Sequence, residues 1–212
     1  MNELIDHTFL SPDCTREDID RICAEAMQYG FYAVCIPPFF VGHAKRQLQS
    51  SQVKLATVVA FPYGYAETAV KVQEIRRAID EGADELDIVI NLSALKSNDW
   101  AYVISDLTVV TTTVRLRGKV SKVIIEIGTL DAGERRKVCD ICNEVKPTFV
   151  KTSTGTQGGA TIDDVRYLRE QLHPDIKIKA SGGIRNREAA LALIEAGADR
   201  LGTSASLKVV GI

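Results

Sequence analysis

"AIDEGADELDIVI", residues 78–90, and "LIEAGADRLGTS", residues 193–204, carry the same junction. Each passes from a helix-like apolar pattern through Gly-Ala-Asp into a β-rich run. "AMQYGFYAVCI", residues 26–36, echoes the pattern with Gly30. Glycine at such a point suits the left-handed residue that ends a helix. One helix–turn–strand unit used repeatedly argues for a βα repeat. Strands are expected near Leu4–His7, Ala33–Ile36, Leu55–Ala60, Glu85–Ile90, Lys122–Ile127, Thr148–Lys151, Lys177–Ala180 and Arg200–Gly202. The segments between them carry apolar residues at helical spacing, as Val72, Ile75 and Ile79 do in "TAVKVQEIRRAIDEG". "NREAALALIEAG" does the same with Ala189, Leu193 and Ile194.

Eight strands alternating with helices predict an α/β fold, a closed (β/α)8 TIM barrel, as one domain over residues 1–212. The length lies near the compact end of that fold, which runs from roughly 200 residues upward. An open doubly wound sheet would usually place a glycine fingerprint after its first strand. Here "DHTFLSPDCT" follows instead, and the barrel is preferred.

The chain is 45% hydrophobic and 25% charged, ordinary for a soluble globular protein. Twenty-six basic against 28 acidic residues give a formal charge of −2. No basic excess argues for nucleic acid or an anionic membrane as partner. No apolar run approaches the roughly 18–20 residues of a membrane span, and "MNELIDHTFL" lacks the pattern of a signal peptide. Five scattered cysteines do not read as a disulfide framework, so a reduced, cytoplasmic protein is expected. Cys139 and Cys142 form a CxxC within "ERRKVCDICNEV", where Val138, Ile141, Cys142 and Val145 keep helical spacing. No second CxxC or nearby histidine completes a zinc set, and both read as helix packing residues. His7, His43 and His173 lie far apart, and no metal-ligand cluster emerges.

Two strands end on lysine and then dissolve into small residues: "FVKTSTGTQGGAT", residues 149–161, and "IKIKASGGI", residues 176–184. Barrel active sites sit at C-terminal strand ends. Alternation puts Asp87, Val89 and Asn91 on one face, Phe149 and Lys151 on another, and Lys177 and Lys179 on a third. A charge facing a barrel interior needs a partner, so Asp87, Lys151 and Lys179 are expected to meet. Lys177, one layer earlier, is expected to reach the bottom rim. A purely structural ion-pair network is the plain alternative.

Two lysines beside an aspartate favour a particular chemistry. Only a neutral amine is nucleophilic, and the ordinary lysine pKa is about 10.4. Lowering it to about 7 costs the ammonium roughly 4–5 kcal/mol, which desolvation and a second ammonium can supply. The neutral amine could then form a Schiff base with an aldehyde or ketone, and the iminium would accept electrons during C–C cleavage. Asp87 could move a proton or orient a water. "ASGGI" and "GTSAS" follow the seventh and eighth strands, a frequent phosphate cradle in barrels. Gly182, Gly183 and Ser204 are candidate phosphate contacts, with Thr154 and Gly155 offering further donors.

"LIDHTFL", "AVCIPP", "ATVVAFPYG", "EGADELDIVINLSALKS", "VIIEIG", "FVKTSTG", "GGAT", "KASGGIR" and "AGADRLGTS" together resemble the deoxyribose-phosphate aldolase family over nearly the whole chain. "FVKTSTG" with "KASGGIR" at this separation is the most specific element. The resemblance implies a class I aldolase that needs no metal or cofactor. It would reversibly cleave 2-deoxy-D-ribose 5-phosphate to D-glyceraldehyde 3-phosphate and acetaldehyde, in deoxyribose phosphate catabolism. By position, Lys151 resembles the Schiff-base lysine, Lys179 the lysine that depresses its pKa, and Asp87 the acid/base residue. Gly182, Gly183 and Ser204 match the phosphate loops. Asp6 matches a supporting aspartate, and Cys35 a substrate-side position, although a small packing residue explains Cys35 equally well. The resemblance also implies a homodimer or homotetramer, for which "IPPFFVG" offers an apolar segment. Some members carry a C-terminal tyrosine reaching the site, whereas this chain ends at Gly211-Ile212. Some carry a lysine where Thr156 stands, near the phosphate. The rival readings are another lysine-dependent phosphosugar aldolase or transaldolase, and a noncatalytic sugar-phosphate-binding barrel.

Overall fold

A computed structural model describes all 212 residues. The strands are β1 (Ile5–Thr8), β2 (Ala33–Ile36), β3 (Lys54–Val59), β4 (Glu85–Val89), β5 (Val120–Ile124), β6 (Phe149–Lys151), β7 (Lys177–Ser181) and β8 (Arg200–Thr203). All pair in parallel with their sequence neighbours, and β8 returns to β1 to close the barrel. The helices are α1 (Arg16–Tyr29), α2 (Val41–Gln47), α3 (Thr68–Asp80), α4 (Leu92–Lys96), α5 (Trp100–Leu116), α6 (Ala132–Val145), α7 (Ile162–Gln171), α8 (Arg187–Glu195) and α9 (Ser206–Val210). No helix is long and apolar enough to cross a membrane.

The repeated junction does more than stop a helix. Gly82 and Gly197 take φ of +112° and +113°. The next amide turns back into the helix, Ala83 N–H to Ala78 O and Ala198 N–H to Leu193 O, at 2.9 and 3.0 Å. These are the bonds that satisfy the last orphaned carbonyls of a helix. The following aspartate then grips the preceding strand. Asp84 Oδ2 accepts from Leu55 N–H at 3.2 Å, and Asp199 Oδ2 accepts from Ile178 N–H at 2.8 Å. The three-residue signature thus ends a helix and sets where the next strand joins the sheet.

The outward faces of the strands meet the helices in one apolar core of 49 buried residues, including Ile88, Val123, Val150 and Ile178. Cys139 and Cys142 belong to it. In α3, Ile75 and Ile79 are buried and Val72 is half-buried, as periodicity predicts. Lys71 on the same helix is fully buried as well, paired with Asp106 at 2.7 Å and donating to Val89 O at 3.0 Å. A far smaller apolar group, Cys35, Ala56 and Val58, lies apart with Leu10 and Phe61 against it.

Only β2 matches its expected bounds; the other strands differ at one end or both, by one residue except in β5. Leu4 lies in a short 3-10 turn, and the first strand begins at Ile5. β5 begins two residues earlier than predicted and stops three residues earlier, at Ile124. Its apolar run continues to Ile127, but Glu126 adopts a left-handed φ of +51° and the chain turns into a 3-10 segment, Ile127–Thr129.

Candidate active site

Inside the barrel the apolar pattern gives way to charge. Asp6 on β1, Glu85 and Asp87 on β4, Lys122 on β5, Lys151 on β6, Lys179 on β7 and Arg200 on β8 are all buried. Asp87 is the hub. Its Oδ2 accepts from Lys151 Nζ at 2.7 Å and from Lys179 Nζ at 2.8 Å, while its Oδ1 accepts from Lys122 Nζ at 2.7 Å. Lys179 also donates to Asp6 Oδ2, and Lys122 lies 2.6 Å from Glu85 Oε2. Gly202 makes room for this arrangement, since a Cβ there would stand 3.0 Å from Lys179 Cε.

The three lysines differ in what surrounds them. Burial lowers the pKa of each, because water no longer supports the ammonium. For Lys179 the carboxylates of Asp6 and Asp87 outweigh that loss, and its pKa is raised. For Lys122 the carboxylates of Asp87, Asp6 and Glu85 raise it well above the usual lysine value. Lys151 has one carboxylate partner, Asp87, and burial wins; the Lys179 ammonium adds to the depression. The second lysine therefore helps lower the Lys151 pKa, but desolvation is the larger cause. Burial alone would raise both aspartates. The surrounding ammonium groups reverse this and hold Asp6 and Asp87 well below the usual carboxyl range.

Only Lys151 of the three opens onto solvent-accessible space. It lines a cavity of about 420 Å³ at the C-terminal end of the strands, whereas Lys122 and Lys179 are 0% exposed. The same cavity is lined by Thr154, Gly155, Gly182, Gly183 and Ser204. The loops after β6 and β7 are laced together: Ser153 Oγ donates to Ser181 O and Ser181 Oγ to Ser153 O, both at 2.6 Å. Gly182, at φ +87°, lets them touch; a Cβ there would stand 2.8 Å from Gly158 O. Thr154 is placed at the cavity, but its donors are already used. Its N–H and hydroxyl both bond to Glu126 Oε2, at 3.1 and 2.6 Å. The left-handed turn at Glu126 thus fixes the loop that follows Lys151. Cys35 is buried with its Sγ 4.0 Å from Asp87 Oδ2, and burial followed by the Asp87 charge raises its thiol pKa. Lys177 is exposed at the opposite rim, 5.8 Å from the Phe149 ring centre.

Sequence reasoning brought Asp6, Asp87, Lys151 and Lys179 to one place and missed Lys122, Glu85, Glu126 and Arg200. Alternation already places Glu85 on the Asp87 face. Lys122 is the register partner of Asp87 across β4 and β5, a fact that needs the paired sheet. Arg185 also lines the cavity and supplies a cation beside the glycine loops.

This constellation has counterparts in known proteins. A family model described as "DeoC/LacD family aldolase" matches residues 1–209. A deoxyribose-phosphate aldolase of Thermococcus gammatolerans is 50% identical over 209 residues, spanning 97% of this chain and 93% of the relative. One of Streptococcus pneumoniae is 47% identical over 99% of this chain and 95% of its own. The solved tetrameric deoxyribose phosphate aldolase of Aeropyrum pernix superimposes with a TM-score of 0.92 at 33% identity, covering 99% of this chain and 88% of that one. With barrel, family model and full-length relatives in agreement, the chain belongs to the DeoC/LacD family of aldolases.

Proposed function

We propose that this aldolase reversibly cleaves 2-deoxy-D-ribose 5-phosphate to D-glyceraldehyde 3-phosphate and acetaldehyde through a Schiff base on Lys151. The observation that carries the reading is the position of Lys151, the one lysine of the buried network that faces the cavity. Its amine donates to Asp87 at 2.7 Å, which aims the nitrogen while leaving its lone pair for the substrate. Attack on the C1 aldehyde gives a carbinolamine, and loss of water gives the iminium. Removal of the C3 hydroxyl proton breaks the C2–C3 bond. The bonding pair enters the iminium as an enamine, and glyceraldehyde 3-phosphate leaves. Protonation of the enamine at C2 and hydrolysis release acetaldehyde and restore Lys151. Asp87 orients the amine and the hydrolytic water, and with Lys179 it relays protons along bonds of 2.7 and 2.8 Å. Asp6 holds Lys179 as an ammonium. Cys35, whose Sγ lies 4.0 Å from Asp87 Oδ2, packs with Ala56 and Val58 into a small apolar group beside the network.

The phosphate sits on the loops after β6, β7 and β8, held by the backbone at Gly155, Gly182 and Gly183, by the Ser204 hydroxyl and by Arg185. Thr154 supports the loop through Glu126 in place of contacting phosphate. The protein works as a cytoplasmic homo-oligomer, a dimer or tetramer, on phosphorylated sugar and aldehyde. Phe39, 73% exposed in the "IPPFFVG" segment, is available to such an interface. Borohydride reduction in the presence of acetaldehyde tests the chemistry. A reduced two-carbon adduct on Lys151, absent in Lys151→Ala, is expected, together with a loss of turnover of about 10^4-fold or more. An adduct on Lys179, or none in folded protein, overturns the assignment.

A further inference from the structure

Beneath the Lys151 amine lies a second tier of charge that touches neither the cavity nor the proposed substrate. Arg200 Nη1 donates to Asp6 Oδ1 at 2.8 Å and to Glu85 Oε2 at 3.3 Å. Its guanidinium stacks 3.5 Å from the Tyr32 ring centre and 5.3 Å from that of Phe149. Its Nε is buried without any hydrogen-bond partner. Glu85 completes the tier through Lys122 at 2.6 Å. A buried arginine with an orphaned donor is not the arrangement that stability alone would favour.

The reason for it lies in counting. The interior holds three carboxylates, Asp6, Glu85 and Asp87, against four basic groups, Lys122, Lys151, Lys179 and Arg200. A net charge sealed in a barrel is costly, so one base is favoured to lose its proton. Arginine cannot be that base. Lys122 lies within 3.5 Å of all three carboxylates, Lys179 contacts two and Lys151 contacts one. By these contacts Lys151 is the lysine least able to keep its proton. The other titratable group facing the hub, Cys35, is kept a neutral thiol by burial and by Asp87.

We propose that Arg200 and Glu85 are positioning residues that set the proton count of the network, and so leave the Lys151 amine neutral while Lys122 and Lys179 stay charged. The inference rests on the assignment of Lys151 as nucleophile. It requires the two residues to act in opposite directions. Arg200→Met leaves three carboxylates for three lysines, and Lys151 keeps its proton to higher pH. Glu85→Gln leaves two carboxylates against four bases, and Lys151 loses its proton at lower pH. The double variant restores an excess of one base and returns Lys151 toward its original behaviour. Residues with a merely structural role would lower stability without moving Lys151 in opposite directions.

The test is a carbon-13 NMR titration of the Lys151 Cε in lysine-labelled protein, with the resonance assigned by Lys151→Arg. The expected midpoints move by about one pH unit, a tenfold change in the neutral fraction, upward for Arg200→Met and downward for Glu85→Gln. The double variant lies between them. Unmoved midpoints, or two shifts in the same direction, overturn the proposal. If Arg200→Met does not fold, the near-isosteric Glu85→Gln decides by its downward shift alone. Borohydride trapping on the parent protein separates the two readings. An adduct on Lys151 with unmoved titrations overturns this inference only, whereas opposite shifts without an adduct overturn the Schiff-base assignment only.

Discussion

Asp87 and Ile88 are consecutive residues of β4, both 0% exposed, on opposite sides of the barrel wall. Ile88 packs among the 49 residues between strands and helices. Asp87 takes three lysine nitrogens on two oxygens. Equal burial serves different ends. Burying a side chain such as Ile88 stabilises the fold by about 1.5–3 kcal/mol. The charges around Asp87 return little net stability, because their desolvation offsets their attraction. What the inner side gains is a fixed pattern of protons. The wall supplies rigidity, and the rigid wall keeps like charges close enough to compete for too few carboxylates.

Substitution on either side should separate these roles. The largest effect is expected from Asp87→Asn. Loss of the proton relay should lower turnover by about 10^2–10^4-fold, with circular dichroism showing a retained barrel. A variant within a few-fold of the parent would remove Asp87 from the chemistry. Ile88→Ala should behave in reverse. A stability loss of about 2–5 kcal/mol by chemical denaturation is expected, while the pH profile of borohydride trapping stays in place. A moved profile would show that the outer side also tunes Lys151. The smallest effect is expected at the rim. Thr156→Lys places a cation beside the phosphate loops, and KM for the phosphorylated sugar should fall by about tenfold relative to free deoxyribose. Equal KM changes for both sugars would move the phosphate elsewhere.

The contrast across the wall also explains what could be read in advance. Alternation in short strands revealed Asp87, Lys151 and Lys179, because an ion at a strand's C-terminal end interrupts an apolar run. It concealed Lys122, which opens its run as Lys177 does. Both are register neighbours of Phe149, yet Lys122 is sealed inside and Lys177 is exposed. Only the stagger of a closed barrel tells them apart. The Gly-Ala-Asp junctions marked helix ends correctly. Their aspartates' grip on Leu55 and Ile178 requires knowing which strand lies alongside. Glu126 was hidden for another reason: a non-glycine residue at φ +51° leaves no compositional mark, and the apolar letters around it read as continuous strand.

Asp6 joins the first strand to the last two. Its partners Lys179 and Arg200 stand 173 and 194 residues away along the chain. During synthesis, therefore, Lys151, the proposed nucleophile, leaves the ribosome before the partners that complete its surroundings. A nascent or truncated chain lacking β7 and β8 carries Lys151 but not the charges that tune it. Chemical competence thus arrives with ring closure, among the most sequence-distant contacts in the molecule and so among the slowest kind to form. Reactivity of the Lys151 amine would serve as an intrinsic clock for the completion of folding.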